Sequence, residues 1–205
     1  MHQTRSEIIQ KLPLPRKGTK YVAVAIRNRY NSVPLVVAIR DMLNLASTSK
    51  EVKKMIHNKA VKVNGKISKN LNDPLNLFSI LDIGKKYMLT ILPTNRFSLE
   101  ETKNETRNLK ITGKRVVRNG ALQYSLHDGT SISSKQSFLV GDTLVLNHEN
   151  KVLKHITFEK GKDVFVLFGS NVGKIGKIKE ISDKGILLKL EDKEFVADNR
   201  QVILI

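Results

Sequence analysis

One stretch constrains the fold of this chain more than any other. From Val164 to Ile181 it reads Val-Phe165-Val-Leu-Phe168-Gly169-Ser-Asn171-Val-Gly173-Lys174-Ile175-Gly176-Lys177-Ile178-Lys179-Glu180-Ile. An apolar strand pattern runs into three glycines, and an alternating strand pattern follows them. The spacing predicts strand, turn, strand. Glycine opens backbone shapes that other residues resist and lets a partner approach the main chain closely. The interleaved lysines put positive charge on that turn.

The same glycines also suggest a nucleotide loop, but the surrounding residues argue against one. Walker chemistry needs G-K-[ST], and here Gly173-Lys174 is followed by Ile175. A dinucleotide site needs a helix after the glycines, where this chain alternates like a strand. The segment is therefore expected to be a β-turn presented to a partner, with Phe165 and Phe168 filling a core.

Charge indicates what that partner is. The 205 residues carry 36 Lys+Arg and 19 Asp+Glu, a formal +17. Such a balance implies an anionic partner, nucleic acid first, with an acidic protein or a membrane surface as lesser options. The charge is uneven: residues 1–70 hold 15 Lys+Arg against 3 Asp+Glu, a net +12, and the remainder only +5.

Other classes find little support. Without cysteine there is no disulfide, thiolate nucleophile or Cys-ligated zinc. His2, His57, His127, His148 and His155 are scattered, with no metal-ligand spacing, so neither metal nor cofactor is expected. No G-x-S-x-G or H-E-x-x-H occurs. His127-Asp128-Gly129 pairs an acid and a base, but on a turn Asp and Gly ordinarily serve the turn. No secretory signal is visible, and apolar runs such as Leu35 to Ile39 are far short of a membrane span. A soluble, cytoplasmic, non-enzymatic protein with no small-molecule substrate is expected.

Along the chain, residues 1–33 read as an extended basic arm. The prolines in Leu12-Pro13-Leu14-Pro15 exclude a helix there, and Lys11, Arg16, Lys17 and Lys20 give the arm its charge. Pro34 opens a helix with Leu35, Ile39, Met42 and Leu43 on one face. Thr48, with Glu51 three positions on, caps a second helix from about Ser49 to Asn58. Its apolar side is Val52, Met55 and Ile56. Lys50, Lys53, Lys54 and His57 form a basic stripe opposite.

Val61-Lys62-Val63-Asn64-Gly65-Lys66-Ile67 is a hairpin signal. With Lys59, Lys62, Lys66 and Lys69 it extends the stripe into a basic surface suited to RNA phosphates. Strands are expected at Leu77–Leu81 and Tyr87–Leu92, and a linker or short surface helix over 93–108. Strand patterns over 109–158, with turns at Asn119-Gly120, His127-Asp128-Gly129 and Val140-Gly141-Asp142, read as a small all-β module. Further strands fall at 186–191, 194–196 and 202–205. Paired strand aromatics of the RRM kind are missing, so backbone and shape recognition fits better than base-by-base reading.

These pieces, in this order, resemble the eukaryotic/archaeal (e) type of small-subunit ribosomal protein S-four. Ser32-Val33-Pro34-Leu35 leading into Ile39-Arg40-Asp41-Met42-Leu43 is similar to the start of that family's RNA-binding domain. Thr48 to Lys54 and Val61 to Lys66 resemble its second helix and hairpin. Leu126-His127-Asp128-Gly129 resembles a signature of its central domain, and Gly169 to Ile178 a KOW motif.

The resemblance implies an α+β, multi-domain chain. Its parts would be a basic arm (1–33), a two-helix plus β-hairpin RNA-binding module (34–92), a central all-β domain (93–158) and an SH3-like KOW β-barrel (159–205). It also implies a structural constituent of the small ribosomal subunit, with rRNA and neighbouring ribosomal proteins as partners. The implied contacts are Arg40, Lys50, Lys53, Lys54, Lys62 and Lys66 in the module, and Asn171, Lys174 and Lys177 in the loop that Gly169, Gly173 and Gly176 shape. Family members begin with a longer Lys/Arg-rich tail than Met1-His2-Gln3-Thr4-Arg5, which suggests a compact archaeal version. Two alternatives remain open: an RNA-modifying enzyme with a borrowed S-four-type domain, and a KOW-containing transcription or translation factor.

Overall fold

The computed structural model describes residues 2–8, 11–29, 31–117, 120–182, 185–190 and 193–205. Asn119 of the Asn119-Gly120 turn and position 191 of the strand expected at 186–191 lie outside them. The described residues are mostly β, in five sheets, and the chain divides into two compact units, Met1–Glu105 and Thr106–Ile205.

In the first unit the expected extended arm is folded back on itself. Strand β1 (His2–Thr4) pairs antiparallel with β2 (Tyr21–Ala23). The Arg5 guanidinium clamps the returning chain by donating to the Pro15 and Thr19 carbonyls. Leu12, Val22, Val24 and Ala25 are buried, so apolar side chains as well as this clamp hold the segment down.

Strand β3 (Ser32–Pro34) leads into helix α1 (Leu35–Val37), which widens to a π turn over Ala38–Met42. Pro34 is the N-cap rather than the first helical residue. Leu35 to Ile39 are fully enclosed, while Met42 and Leu43 are half-buried. Helix α2 (Ser49–His57) starts as its sequence dictates. The Thr48 hydroxyl accepts from the Glu51 amide (3.3 Å), and the Glu51 carboxylate accepts from the Ser47 amide (2.8 Å). Val52 and Ile56, one turn apart, face the core.

Strands β4 (Lys62–Val63) and β5 (Lys66–Ile67) flank Asn64 (φ 52°) and Gly65 (φ 78°), the two positive φ angles that a tight hairpin turn requires. β6 (Pro74–Asn76) pairs with β3. β7 (Ile80–Ile83), β8 (Lys85–Ile91) and β9 (Phe97–Glu101) complete a sheet of order β5-β4-β7-β8-β9.

Two expectations are corrected here. The strand expected at Leu77–Leu81 starts at Ile80, because Phe78 turns the chain with φ 59°. The segment 93–108, expected to be a linker or surface helix, contains edge strand β9 and the start of the next unit's first strand.

The second unit starts with β10 (Arg107–Val116), β11 (Leu122–Leu126), β12 (Ser131–Ser134), β13 (Thr143–Leu146) and β14 (Val152–Ile156), in sheet order β12-β11-β10-β13-β14. Leu109, Ile111, Tyr124, Phe138 and Leu144 form its core. β15 (Asp163–Val166), β16 (Ile175–Ser182), β17 (Gly185–Lys189), β18 (Glu194–Ala197) and β19 (Val202–Leu204) make a second sheet, β18-β17-β16-β15-β19. Val164, Val166, Ile178, Leu188 and Leu204 pack inside it. The glycine segment is thus the strand–turn–strand its spacing predicts, β15 and β16 pairing antiparallel. Phe165 is buried as expected; Phe168, expected in the core, is 37% exposed.

Candidate nucleic-acid interface

Helix α2 sends its polar face outward because Val52 and Ile56 hold the other face in the core. Lys50, Lys53, Lys54 and His57 are all exposed. Asn58 caps the helix, and Lys59, at φ 58°, turns the chain toward the hairpin. Lys62, Lys66 and Lys69 are exposed there as well. Asp73 shapes the loop behind Lys69 by accepting from the Ser68 hydroxyl (2.5 Å) and the Lys69 and Asn70 amides (3.1 Å each). Burial raises the Asp73 carboxyl, but these three donors outweigh it and hold the group below its ordinary value.

The decisive electrostatic fact concerns partners. None of Lys50, Lys53, Lys54, His57, Lys59, Lys62, Lys66 or Lys69 forms an ion pair among the described residues. The one acid on α2, Glu51, is engaged by the Ser47 amide and the Thr48 hydroxyl, which hold its carboxyl below the usual range. Arg16, Lys17 and Lys20 on the folded arm are exposed and likewise without carboxylate partners; Lys20 lies 5.4 Å from the Tyr21 ring centroid.

Two expected contacts are placed differently from the rest. Arg40 makes two bonds to Asp41 (3.0 and 2.8 Å) and one to the Ser49 hydroxyl (3.0 Å), tying the first helix to the start of α2. Asp41 raises its guanidinium above the ordinary value. Lys11 is half-buried, its carbonyl accepts from the Phe97 amide (2.8 Å), and burial lowers its amine.

In the second unit the loop between β15 and β16 is held by the Gly173 amide on the Val166 carbonyl (2.9 Å) and the Val166 amide on the Lys174 carbonyl (3.0 Å). Gly169 (φ 101°) and Gly173 (φ 76°) bend it. Val172 anchors it in the core, so Lys174 stands exposed, its amine 3.3 Å from Asn171 Oδ1. Lys177 is exposed on β16. Gly176 lies in the strand rather than the loop. It is buried, and a Cβ there would stand 2.9 Å from the Lys189 carbonyl oxygen.

Sequence reasoning passed over Arg27 and Arg29. They flank Asn28, whose φ is 52°. The Asn28 amide reaches Asn76 Oδ1 (3.1 Å), and the Ser32 hydroxyl contacts the Arg27 and Asn28 carbonyls (3.2 and 2.8 Å). Two exposed arginines therefore sit on a braced turn. The signal for them was the Arg-Asn-Arg triplet, since Asn tolerates left-handed backbone.

The cations that sequence alone could not sort are those inside the second unit. Arg107 is buried, 3.4 Å from Asp128, and bonds Asn150 Oδ1 at 2.6 Å. Asp128 also accepts from the Thr130 amide and hydroxyl at 2.9 and 2.6 Å, and Gly129 turns at φ 82°. His127 Nδ1 accepts from the Lys110 amide (3.1 Å). The His-Asp-Gly triplet is thus built into a turn. Lys110 bonds the Asn199 side-chain oxygen and the Val202 carbonyl (2.8 Å each) and the Asn199 carbonyl, joining the unit's two sheets. Burial lowers its amine to about 8.

No described group of His, Cys, Asp and Glu could hold a metal ion, and no helix is long and apolar enough to cross a membrane. Comparison with known proteins then decides the family. The model described as Ribosomal family S4e matches residues 83–153. A small ribosomal subunit protein eS4 of Methanocella arvoryzae is 32% identical over 188 residues, covering 88% of this chain and 80% of that protein.

The chain belongs to the eS4 family.

The eS4 protein of Archaeoglobus fulgidus is also 32% identical, over 87% of this chain and 79% of its own length. The crystal structure of the 30S ribosomal protein S4e from Thermoplasma acidophilum shares the fold. It has a TM-score of 0.73 at 24% identity, covering 85% of this chain and 95% of that one. In this eS4 chain the buried Arg107–Asp128 pair lies inside the segment that the family model matches.

Proposed function

We propose that this chain is a structural constituent of the small ribosomal subunit, bound to rRNA through phosphate contacts and acting in the cytoplasm. The observation that carries the reading is the set of exposed lysines on α2 and the β4–β5 hairpin, none with a carboxylate partner among the described residues. Leaving many like charges unmatched gains nothing for folding and suits a polyanion whose counterions they displace. The family supports the choice of rRNA: the relatives are named small ribosomal subunit proteins.

In this reading residues 1–33 are a basic segment folded into the first unit, and 34–92, extended by β9, are the S-four-type RNA-binding module. The central β domain, expected over 93–158, then starts after β9 and spans 106–158, and 159–205 form an SH3-like KOW barrel. Arg16, Lys17, Lys20, Lys50, Lys53, Lys54, His57, Lys59, Lys62, Lys66 and Lys69 contact phosphate. Arg40 and Lys11 act through the backbone and side chains they hold in place. Asn171, Lys174 and Lys177 form a second contact, with Gly169 and Gly173 shaping the loop and Gly176 packing the strand behind it. Neighbouring ribosomal proteins complete the partner set.

Gradient sedimentation tests the reading. The protein co-sediments with small subunits at moderate salt; recovery only in free fractions contradicts it.

A further inference from the structure

The folded N-terminal segment and the turn between β8 and β9 enclose a cleft of about 910 Å³. Clefts that hold small molecules span roughly 300–1,000 Å³. Arg5, Arg16 and Arg96 line it, and among the described residues no carboxylate does. Leu12, Leu14 and Pro15 give it an apolar wall.

The three arginines are not equivalent. Arg5 is a strut: its Nε donates to the Thr19 carbonyl (2.7 Å), one terminal nitrogen to the Pro15 carbonyl, and the other to the Thr19 hydroxyl (3.3 Å). Gly18, at φ 146°, makes room for it, because a Cβ there would lie 2.7 Å from an Arg5 terminal nitrogen. Arg16 and Arg96 are exposed and form no ion pair among the described residues. Both sit on fixed backbone. Arg16 follows the clamped Pro15. The Arg96 carbonyl accepts from the Leu92 amide (2.8 Å), and the Phe97 amide bonds the Lys11 carbonyl (2.8 Å), joining the two walls.

Two unmatched guanidinium groups beside a dry wall call for an anion joined to a flat apolar body. Free phosphate would leave Leu14 and Pro15 wet, and duplex RNA buries its bases in the stack. A nucleotide turned out of a bulge or single strand offers both parts, and RNA is commonly read at such positions. Arginine binds phosphate bidentately and stacks on ring faces. We infer that this cleft takes one nucleotide extruded from RNA, its base against Leu12, Leu14 and Pro15 and its phosphates on Arg16 and Arg96. Thr94 and Asn95 supply polar groups for the base edge. The inference rests on the rRNA-binding reading above and adds a contact to the base where that reading has contacts to phosphate.

The test compares RNA hairpins carrying a one-nucleotide bulge, with each of the four bases in turn, against the same hairpin with an abasic bulge. Affinity for the full chain is measured by fluorescence anisotropy at fixed salt. The hairpin with the preferred base binds about 10-fold tighter than the abasic one, the gain expected from burying roughly 60 Å² of apolar base surface against the aliphatic wall. That preference vanishes in the Arg16→Ala/Arg96→Ala variant, whose melting curve matches the parent.

Equal affinity for every bulged and abasic hairpin overturns the inference and leaves RNA binding standing. A base preference that survives the double substitution also overturns it, since the base then sits elsewhere. Absence of binding to any hairpin overturns both the inference and the reading beneath it. Tighter binding of a short Glu- and Leu-rich peptide, lost in the same variant, assigns the cleft to an acidic protein instead.

Discussion

The two units differ in where their most telling cations sit. Met1–Glu105 holds 19 Lys+Arg against 8 Asp+Glu, a net +11, and Thr106–Ile205 holds 17 against 11, a net +6. In the second unit Arg107 and Lys110 are buried and bonded to a carboxylate, an amide oxygen and backbone carbonyls. On its surface Lys179 meets Glu194 at 2.8 Å and Lys151 meets Glu149 at 2.7 Å. In the first unit the lysines of α2 and the hairpin stand exposed without such partners. Net charge alone does not separate these roles. Burial and the presence of an oxygen partner do: Arg107 and Lys110, buried and bonded, brace the second unit, whereas the lysines of α2 and the hairpin leave that face of the first unit open to a polyanion, even though Arg40, Lys85 and Lys86 elsewhere in it are paired.

The largest way to break this contrast is Asp128→Ala. It strands the Arg107 charge in the core, which costs about 3–5 kcal/mol. Denaturant unfolding should show that loss, and hydrogen exchange should localise it to β10, β11 and β13. Gly176→Ala comes next. Its Cβ meets backbone 2.9 Å away, not the tip of a flexible side chain, so β16 and β17 are forced apart at a cost of about 1–3 kcal/mol. RNA affinity per folded molecule should not change, because Gly176 faces the interior.

Lys110 gives a pH signature of intermediate size. Burial holds its folded amine at about 8, against an ordinary value of 10.5. The unfolded chain therefore binds the extra proton between those values, and stability rises with pH across that window. The cost is present in full below pH 8 and is relieved as pH climbs toward 10. The slope from this group is at most about 1.4 kcal/mol per pH unit. The difference between the parent and Lys110→Met, followed by chemical denaturation from pH 7 to 10, isolates it. A difference that stays flat across the window removes the buried charge from the account. Lys50→Ala has the smallest effect on folding, within about 0.5 kcal/mol, because the side chain is exposed and unpartnered.

Much of this was legible from local chemistry. Thr48 and Glu51 cap α2 within one turn, Val52 and Ile56 face inward at helical spacing, and Asn64-Gly65 carries its own turn geometry. Ile175 after Lys174 turned the glycine segment from a nucleotide loop into a hairpin. What stayed hidden depends on distant partners. Arg5 folds the arm by reaching carbonyls 10 and 14 residues away. Strand β9 carries Ser, Leu and two Glu on a sheet edge, a pattern that reads equally as a surface helix. Arg40 looks like any basic contact until Asp41 and Ser49 enclose it. Lys110 looks like a solvated strand lysine until Asn199 and Val202 surround its amine.

The central claim is that unmatched lysines of the first unit carry the binding. The salt dependence of affinity for small-subunit rRNA tests it most directly. If the parent neutralises six to ten phosphates, log affinity falls against log salt with a slope of roughly −5 to −9. Lys50→Ala/Lys53→Ala/Lys54→Ala should make that slope shallower by up to about three units with the fold intact. An unchanged slope in the triple variant, in a protein that still binds rRNA, would contradict the account.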